Sequence, residues 1–332
     1  MEGNGVAMLD AEIAGRLRLN RFVVLGRAGM DLYADPAGTA LDQAERFVAA
    51  LGGSAGNIAA GLARLGAEVS LAGCVSDDAV GRFVLGQLAR YAIGAKHVSV
   101  VGDGRRTSLA ITESRVEGLQ GVLYRNHAAD FALSVADVEA IDFQTVGALV
   151  VTGTALAAEP SRGATLCALA LARAAGAVTV LDVDYRAYSW TSEAEAREVC
   201  GRAVALCDLT VGNDEEFGLL AGGVAQGRDF AAALPWAVYK MGAEGSETFV
   251  AGQAFRCGVF AVKALKPLGS GDGFMAGLMA ALARGEGLES AVRQGSAVAA
   301  MVVSTVGCAP AMPDRAALSG FIEEFRNAHS AP

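Results

Sequence analysis

Short aliphatic and β-branched runs alternate along this chain with Ala- and Leu-rich stretches of helical period, and that rhythm leaves few folds open. Phe22–Leu25, Val69–Ala72, Leu149–Val151, Val178–Val183, Leu209–Val211 and Ala237–Tyr239 read as strands. Between them, Asn57–Leu65, Ala79–Ala92, Ser161–Ala175, Ser192–Leu206, Asp272–Ala283 and Leu288–Ser304 read as helices. Gly66, Gly94, Gly176, Gly285 and Gly307 stand at or near their ends, where a left-handed residue closes a helix. Ser192 and Glu195 have the spacing of a capping box. Strands apolar on both faces belong to a mostly parallel sheet covered by helices on each side, an α/β/α sandwich. With 332 residues, 53% of them hydrophobic, the chain can bury one large α/β core or two smaller ones.

Two regions break the rhythm. Asp31–Ala49 and Arg106–Asn126 hold strand-like pieces with polar alternation, such as Thr107, Leu109 and Ile111, and Val122 with Tyr124. They predict a small antiparallel β lid over one end of the main sheet, formed by about 31–50 and 105–127, against the plainer alternative of surface hairpins. Residues 1–20 read as a loose N-terminal extension, which leaves one domain over 21–328.

Composition removes several classes of function. The formal net charge is −9 and no Lys/Arg run exists, so no nucleic-acid partner is expected. No uninterrupted apolar stretch reaches about 18 residues, so no membrane partner is expected either. Glu2, Asp10 and Glu12 are at odds with a secretory signal, and the 6 cysteines form no C-x-x-C pair, which suits free thiols in the cytoplasm. The 3 histidines stand far apart, not at zinc-site spacing, and His127 reads as structural or as a minor substrate contact. Trp190 and Trp236 read as packing residues.

Chemistry concentrates in two segments. Lys266-Pro267-Leu268-Gly269-Ser270-Gly271-Asp272-Gly273-Phe274 precedes a helix with Phe274, Met275, Leu278, Met279 and Leu282 on one face. Gly269, Ser270, Gly271 and Asp272 thus lie at a helix N-terminus, where unpartnered N–H groups and the positive dipole end form an anion site. A carboxylate there repels a phosphate unless it has a task. Accepting the proton of an attacking hydroxyl is such a task, and the dipole is expected to keep Asp272 ionised for it. The plain alternative is an N-cap aspartate. Walker A and G-x-G-x-x-G patterns are both missing from the chain.

The second segment, Gly52-Gly53-Ser54-Ala55-Gly56-Asn57, opens a helix after an apolar run. Tight glycine backbone beside Asn57, a donor and an acceptor on one side chain, suits a polyhydroxylated ligand. Gly52-x-Ser54-x-Gly56 also fits the nucleophile elbow of α/β-hydrolases, but no HGGG-type segment precedes it and nothing ties a histidine to Ser54.

In this order, about 215 residues apart, the two segments resemble the paired signatures of the PfkB (ribokinase-like) carbohydrate kinases, with Ser270 where the family has Ala. The likeness runs from about Arg21 to Pro313. It implies a ribokinase-like three-layer sandwich with a small β lid, and ATP and Mg²⁺ as cofactors. Gly26-x-x-x-x-Asp31 resembles the family's sugar-binding segment. Asn213-Asp214-Glu215-Glu216 resembles its N-x-x-E motif, and Lys240-Met241-Gly242-Ala243-Glu244-Gly245 its nucleotide loop. By resemblance, Arg27, Asp31, Gly52, Gly53, Asn57, Arg125 and Arg186 face the sugar. Asn213, Lys240, Gly242, Gly245 and Ser296 face ATP, Glu216 faces the metal and its waters, and Asp272 is the base.

Segments 25–33, 124–130, 182–190, 264–267 and 307–313 narrow the resemblance to members that act on a deoxy sugar acid. Arginine binds carboxylates in a bidentate way, so Arg27, Arg125 and Arg186 fit such a substrate. Structural pairing with Asp31, Asp130 and Asp184 is the alternative for each. Other sugar kinases of the family, or a catalytically silent sugar or nucleotide sensor, are the competing functions. Unpaired lid edges offer a surface through which two copies pair. Two departures stand out: Ser76 replaces a usual Gly, and Lys266-Pro267 replaces an Asp-Thr whose Asp is associated with a monovalent-cation site, so potassium dependence is not expected.

Overall fold

The computed structural model describes residues 9–329. In chain order, α1 (Ala11–Leu17) precedes β1 (Arg21–Leu25), β2 (Gly29–Asp35) and β3 (Arg46–Gly52). Next come α2 (Ser54–Arg64), β4 (Glu68–Ser76), α3 (Ala79–Arg90), β5 (Gly94–Val101), β6 (Leu109–Thr112), β7 (Gly121–Tyr124) and α4 (Val135–Glu139). The second half runs through β8 (Ala148–Thr152), α5 (Ser161–Ala174), β9 (Val178–Asp182), α6 (Glu193–Val204), β10 (Leu209–Asn213), α7 (Asp214–Ala221) and α8 (Val224–Ala233). It closes with β11 (Trp236–Lys240), β12 (Ser246–Val250), β13 (Gln253–Cys257), α9 (Ser270–Ala283), α10 (Leu288–Val303) and α11 (Arg315–His329).

The main sheet has nine strands in the order β13-β12-β11-β10-β9-β8-β1-β4-β5. From β11 to β5 all neighbours are parallel, and β12 and β13 add an antiparallel hairpin at one edge. Side chains alternate faces along a strand. Phe22 and Val24 of β1 therefore join the core under α2, α9 and α10, with Ile58, Met275 and Val298. Val23 and Leu25 join the opposite core, with Leu169 of α5, Val199 of α6 and Phe217 of α7. These are the two covered faces expected of an α/β/α sandwich.

The chain leaves β1 for β4 and β5 on one side and returns to β8 on the other. The strand order thus reverses at β1/β8. In open α/β sheets, ligands bind beyond the carboxyl ends of the strands at such a switch point.

A second sheet, β3-β2-β6-β7, is the lid. It is not purely antiparallel as expected: β2 and β6 run parallel, while β2–β3 and β6–β7 are antiparallel. A hairpin joins β2 to β3, whereas β6 arrives after a long excursion through β4 and β5, and a crossover of that length permits parallel entry. The reading of 1–20 as loose is corrected for the described part. Leu17 is fully buried, and the Arg16 guanidinium donates to the carbonyls of Val146, Phe143 and Gln144. Residues 1–8 lie outside the described part. The Ser192 cap forms, but the Glu195 carboxylate turns to Thr191 and Arg162 and leaves the box half made.

Candidate active site

The site is built on the carboxyl ends of the parallel strands. Gly26 and Arg27 follow β1, Thr152 ends β8 and Asp182 ends β9, while Asn213 ends β10 and Lys240 ends β11. Opposite them stands the N-terminus of α9, where Gly269 is the left-handed N-cap at φ 81° and Asp272 lies in the first turn.

Asn57 and Asp272 meet directly: the Asn57 Nδ2 amide donates to Asp272 Oδ2 over 2.8 Å. Asn57 is buried on α2, and its Oδ1 has no donor. Asp31 is also buried; the Tyr33 hydroxyl donates to its Oδ2, and its Oδ1 is likewise without a donor. Burial pushes the Asp31 carboxyl above its ordinary value, against the pull of Arg27 and Tyr33. A Cβ on Gly52 would fall 1.9 Å from Asp31 Oδ1, so glycine is what lets β3 pass this carboxylate. Gly53, at φ 86°, packs its α-carbon on the Arg27 carbonyl, where a Cβ would come within 2.3 Å.

The side towards the N-terminus of α9 is charged. Lys240 Nζ lies 3.8 Å from Asp182 Oδ1, and a Cβ on Gly271 would lie 3.3 Å from the same ammonium. Lys240 therefore reaches the turn that opens α9. Arg186 pairs with Asp184 at 2.8 Å and keeps 47% of its side chain exposed. The Ser54 hydroxyl donates to Asp184 Oδ2 over 2.6 Å and Thr154 Oγ1 donates to the same atom over 3.2 Å. Ser54 is thus an anchor for a carboxylate rather than a nucleophile oriented by a histidine, and the hydrolase alternative loses its geometry.

Burial, reinforced by Asp184 and Asp182, pushes Asp272 up to about 8, against the Asn57 hydrogen bond and Arg186, which pull it down. The expectation of an aspartate held ionised is corrected: desolvation and two neighbouring carboxylates raise it. Burial, with Glu216 and Asp184, also holds Asp182 above the usual carboxylate range against Lys240. For Lys240 burial works downward, yet Asp182, Glu216, Asp272 and Asp184 outweigh it and raise the ammonium above its ordinary value.

Asn213 and Glu216 form a reciprocal capping box at α7, with the Asn213 N–H on Glu216 Oε2 at 2.7 Å and the Glu216 N–H on Asn213 Oδ1 at 2.8 Å. The N-x-x-E spacing is therefore a helix start as well as a metal-motif match. Glu216 also accepts from the Tyr185 N–H, which seats its carboxylate beside the Asp182–Asp184 segment. Glu216, Asp182 and Asp184 are hard oxygen donors of the type that suits Mg²⁺. Among the described residues no three such groups converge to ligate a metal directly. Mg²⁺ usually keeps several waters and takes one or two carboxylates, and the chemistry of these donors fits that mode.

The remaining expected residues are placed as follows. Arg27 donates to Ser108 Oγ at 3.0 Å and has no ion-pair partner among the described residues. Arg125 is buried and bound to Asp130 at 2.6 Å and to the Thr154 carbonyl at 2.9 Å, with its guanidinium over Phe131, so it takes the structural pairing; only its Nη1 is unpartnered. Ser296 donates to the Gly258 carbonyl. Gly242 and Gly245 flank a single turn that leads into β12, and the Met241 N–H donates to the Gly245 carbonyl. His127 is exposed, at φ 51°.

Sequence reasoning passed over Asp182 and Thr154, and named Asp184 only as a partner for Arg186. The available signal was Asp182-Val183-Asp184, two carboxylates closing an apolar strand, at the end of the sheet where ligands bind.

A family model described as pfkB family carbohydrate kinase matches residues 19–315. The 5-dehydro-2-deoxygluconokinase of Photobacterium profundum is 41% identical over 311 residues, covering 91% of this chain and 94% of that protein. The 5-dehydro-2-deoxygluconokinase 1 of Bacillus cereus is 36% identical over 312 residues, with coverage of 91% and 94%. Among solved structures, fructokinase from Vibrio cholerae O395 in its fructose, ADP and calcium ion bound form matches with a TM-score of 0.79 at 25% identity, over 92% of this chain and 99% of that one.

Proposed function

The chain belongs to the pfkB family of carbohydrate kinases, and from that premise we propose that it transfers the γ-phosphoryl group of ATP to the terminal hydroxyl of 5-dehydro-2-deoxy-D-gluconate. As a family member it is a phosphotransferase with an alcohol acceptor. The acceptor named here rests on the two gluconokinases that match it nearly end to end, and their names do not favour 2-keto-3-deoxygluconate.

The observation that carries the sugar reading is the pair of buried acceptors without donors, Asp31 Oδ1 and Asn57 Oδ1. Buried polar atoms are nearly always hydrogen-bonded, and a polyhydroxylated ligand supplies the missing O–H donors. Asp31 and Asn57 hold the sugar hydroxyls, and the glycine backbone at Gly52 and Gly53 lets the ligand come close. Arg27 takes the carboxylate of the acid, because among the described residues no protein carboxylate stands within ion-pair distance of it. Arg125 and Arg186 are neutralised by Asp130 and Asp184. Arg125 then shapes the pocket, and Arg186, whose charge is felt at Asp272, faces the transferred phosphoryl group.

Asn57 aims the Asp272 carboxylate, which takes the proton of the attacking hydroxyl. The amides of Gly269, Ser270, Gly271 and Asp272, with Lys240, stabilise charge on the phosphoryl oxygens. Asn213, the Gly242–Gly245 turn and Ser296 hold the nucleotide. Glu216, with Asp182 and Asp184 beside it, would hold Mg²⁺ through its waters, and the ion would neutralise phosphate charge there. The lid excludes water from the reacting groups. Exposed Phe47 and Val48 on β3, and Val122 and Tyr124 on β7, support pairing of two copies through the lid. ATP supply places the enzyme in the cytoplasm, and among the described residues no helix is long and apolar enough to cross a membrane.

Proton-coupled ³¹P spectroscopy of the product tests the regiochemistry. A phosphomonoester split by two methylene protons is expected. Splitting by a single methine proton would overturn the terminal-hydroxyl assignment.

A further inference from the structure

Lys266 is a lysine with no exposed surface. Burying an ammonium is costly unless it is well paired. Among the described residues no carboxylate lies within ion-pair distance of it. Its Nζ donates only to main-chain carbonyls, Leu268 O at 2.6 Å and Val302 O at 3.0 Å. Burial lowers its proton affinity, while Cys308 and Asp272 act to raise it. Leucine or methionine would fill the same space without that cost, so the charge has a task.

Both carbonyls belong to the anion site's support. Val302 lies in the last turn of α10, at the negative end of that helix. The main-chain N–H groups of Leu265 and Lys266 both donate to the adjacent Val303 carbonyl, which fixes the segment to the same helix end. Leu268 immediately precedes Gly269, the N-cap of α9. In a trans peptide the C=O and N–H point in opposite directions. Drawing the Leu268 carbonyl onto Lys266 therefore turns the Gly269 N–H away from the ammonium. One side chain thus links the negative end of α10 to the turn that opens the positive end of α9. Carbonyl oxygens gathered around a positive charge are also how proteins hold monovalent cations. Here the cation is covalently attached.

We propose that Lys266 is a positioning residue, a built-in cation that sets the Leu268–Asp272 turn in its phosphate-accepting form, so that turnover needs no dissociable monovalent cation. The inference rests on the kinase reading above. Parental turnover tests that reading, and the ratio of variant to parent tests this one.

In Lys266→Met, kcat falls roughly 10²-fold, the scale of losing one aligned oxyanion donor. KM for the sugar acid, held on other elements, stays at the parental value. A purely structural role would instead lower the folded fraction and leave kcat per folded molecule unchanged. In Lys266→Ala, which opens space beside the two carbonyls, potassium or ammonium chloride restores part of kcat and tetramethylammonium chloride at equal ionic strength does not. A folded Met variant with parental kcat would overturn the proposal. If neither variant folds, the parent decides: equal kcat in potassium and tetramethylammonium chloride supports the proposal, and marked stimulation by potassium contradicts it.

Discussion

The side-chain amide of Asn57 and the carboxylate of Asp272 are hydrogen-bonded at 2.8 Å although 215 positions of chain separate them. Each lies within the first turns of a helix, α2 or α9, and these two helices pack together on one face of the sheet. The bond joins the glycine-rich segment that opens α2 to the one that opens α9, and it fixes the direction in which the Asp272 carboxylate points.

Replacing Asp272 by Asn removes the proposed proton acceptor and keeps the shape. Turnover should fall by roughly 10²–10⁴, the range for a positioned general base. Nucleotide affinity by calorimetry should remain near parental, because Lys240 and the turn amides are untouched. An Asn variant with near-parental kcat would show that Asp272 is not the base.

The same group sets a pH dependence. Asp272 acts when ionised and its pKa is held at about 8, so kcat/KM should rise with pH through a limb in that region. The Asn57 hydrogen bond pulls the pKa down. In Asn57→Leu, which keeps the bulk and removes the donor, the limb should move to higher pH. A limb that stays in place would assign the titration to another group.

Stability carries the opposite sign. The folded-state value of Asp272, about 8, exceeds its ordinary 3.8, so between them the native state binds more protons than the unfolded chain. Stability of the ligand-free protein then declines as pH rises through that window. Asp272→Asn abolishes this contribution. The Tm of the variant minus that of the parent should therefore be small near pH 4 and grow towards pH 8. A difference that does not change with pH would contradict the buried-carboxylate account.

Gly52 is tested by adding one carbon. The Cβ of Gly52→Ala would stand 1.9 Å from Asp31 Oδ1, so the carboxylate must leave its place against Tyr33. KM for the sugar acid should rise about tenfold or more, the loss expected when a charged hydrogen bond is misplaced, with KM for ATP unchanged. Equal shifts in both constants would remove Asp31 from the sugar site.

Much of this was legible in the sequence because it is local. Apolar runs mark six strands of the main sheet, and Gly269–Asp272 before an apolar run marks the start of α9. What was missed is relational. Whether Arg125 faces ligand or Asp130 depends on a lid strand returning beside the short turn at 129–132, which no spacing reveals. The ionisation of Asp272 depends on Asp182 and Asp184, nearly 90 residues away in the chain, and on a burial that a helix-dipole argument cannot weigh. The polar edge strand β13 and the mostly exposed surface of α11 lack the continuous apolar signal by which the inner elements were recognised.

The most direct test of the central claim is ADP release with Mg-ATP against 5-dehydro-2-deoxygluconate, 2-keto-3-deoxygluconate, fructose, ribose and adenosine. The account predicts a strong preference for 5-dehydro-2-deoxygluconate that disappears in Asp272→Asn. Preference for a neutral sugar, or ADP release that persists undiminished in the Asn variant, would contradict it.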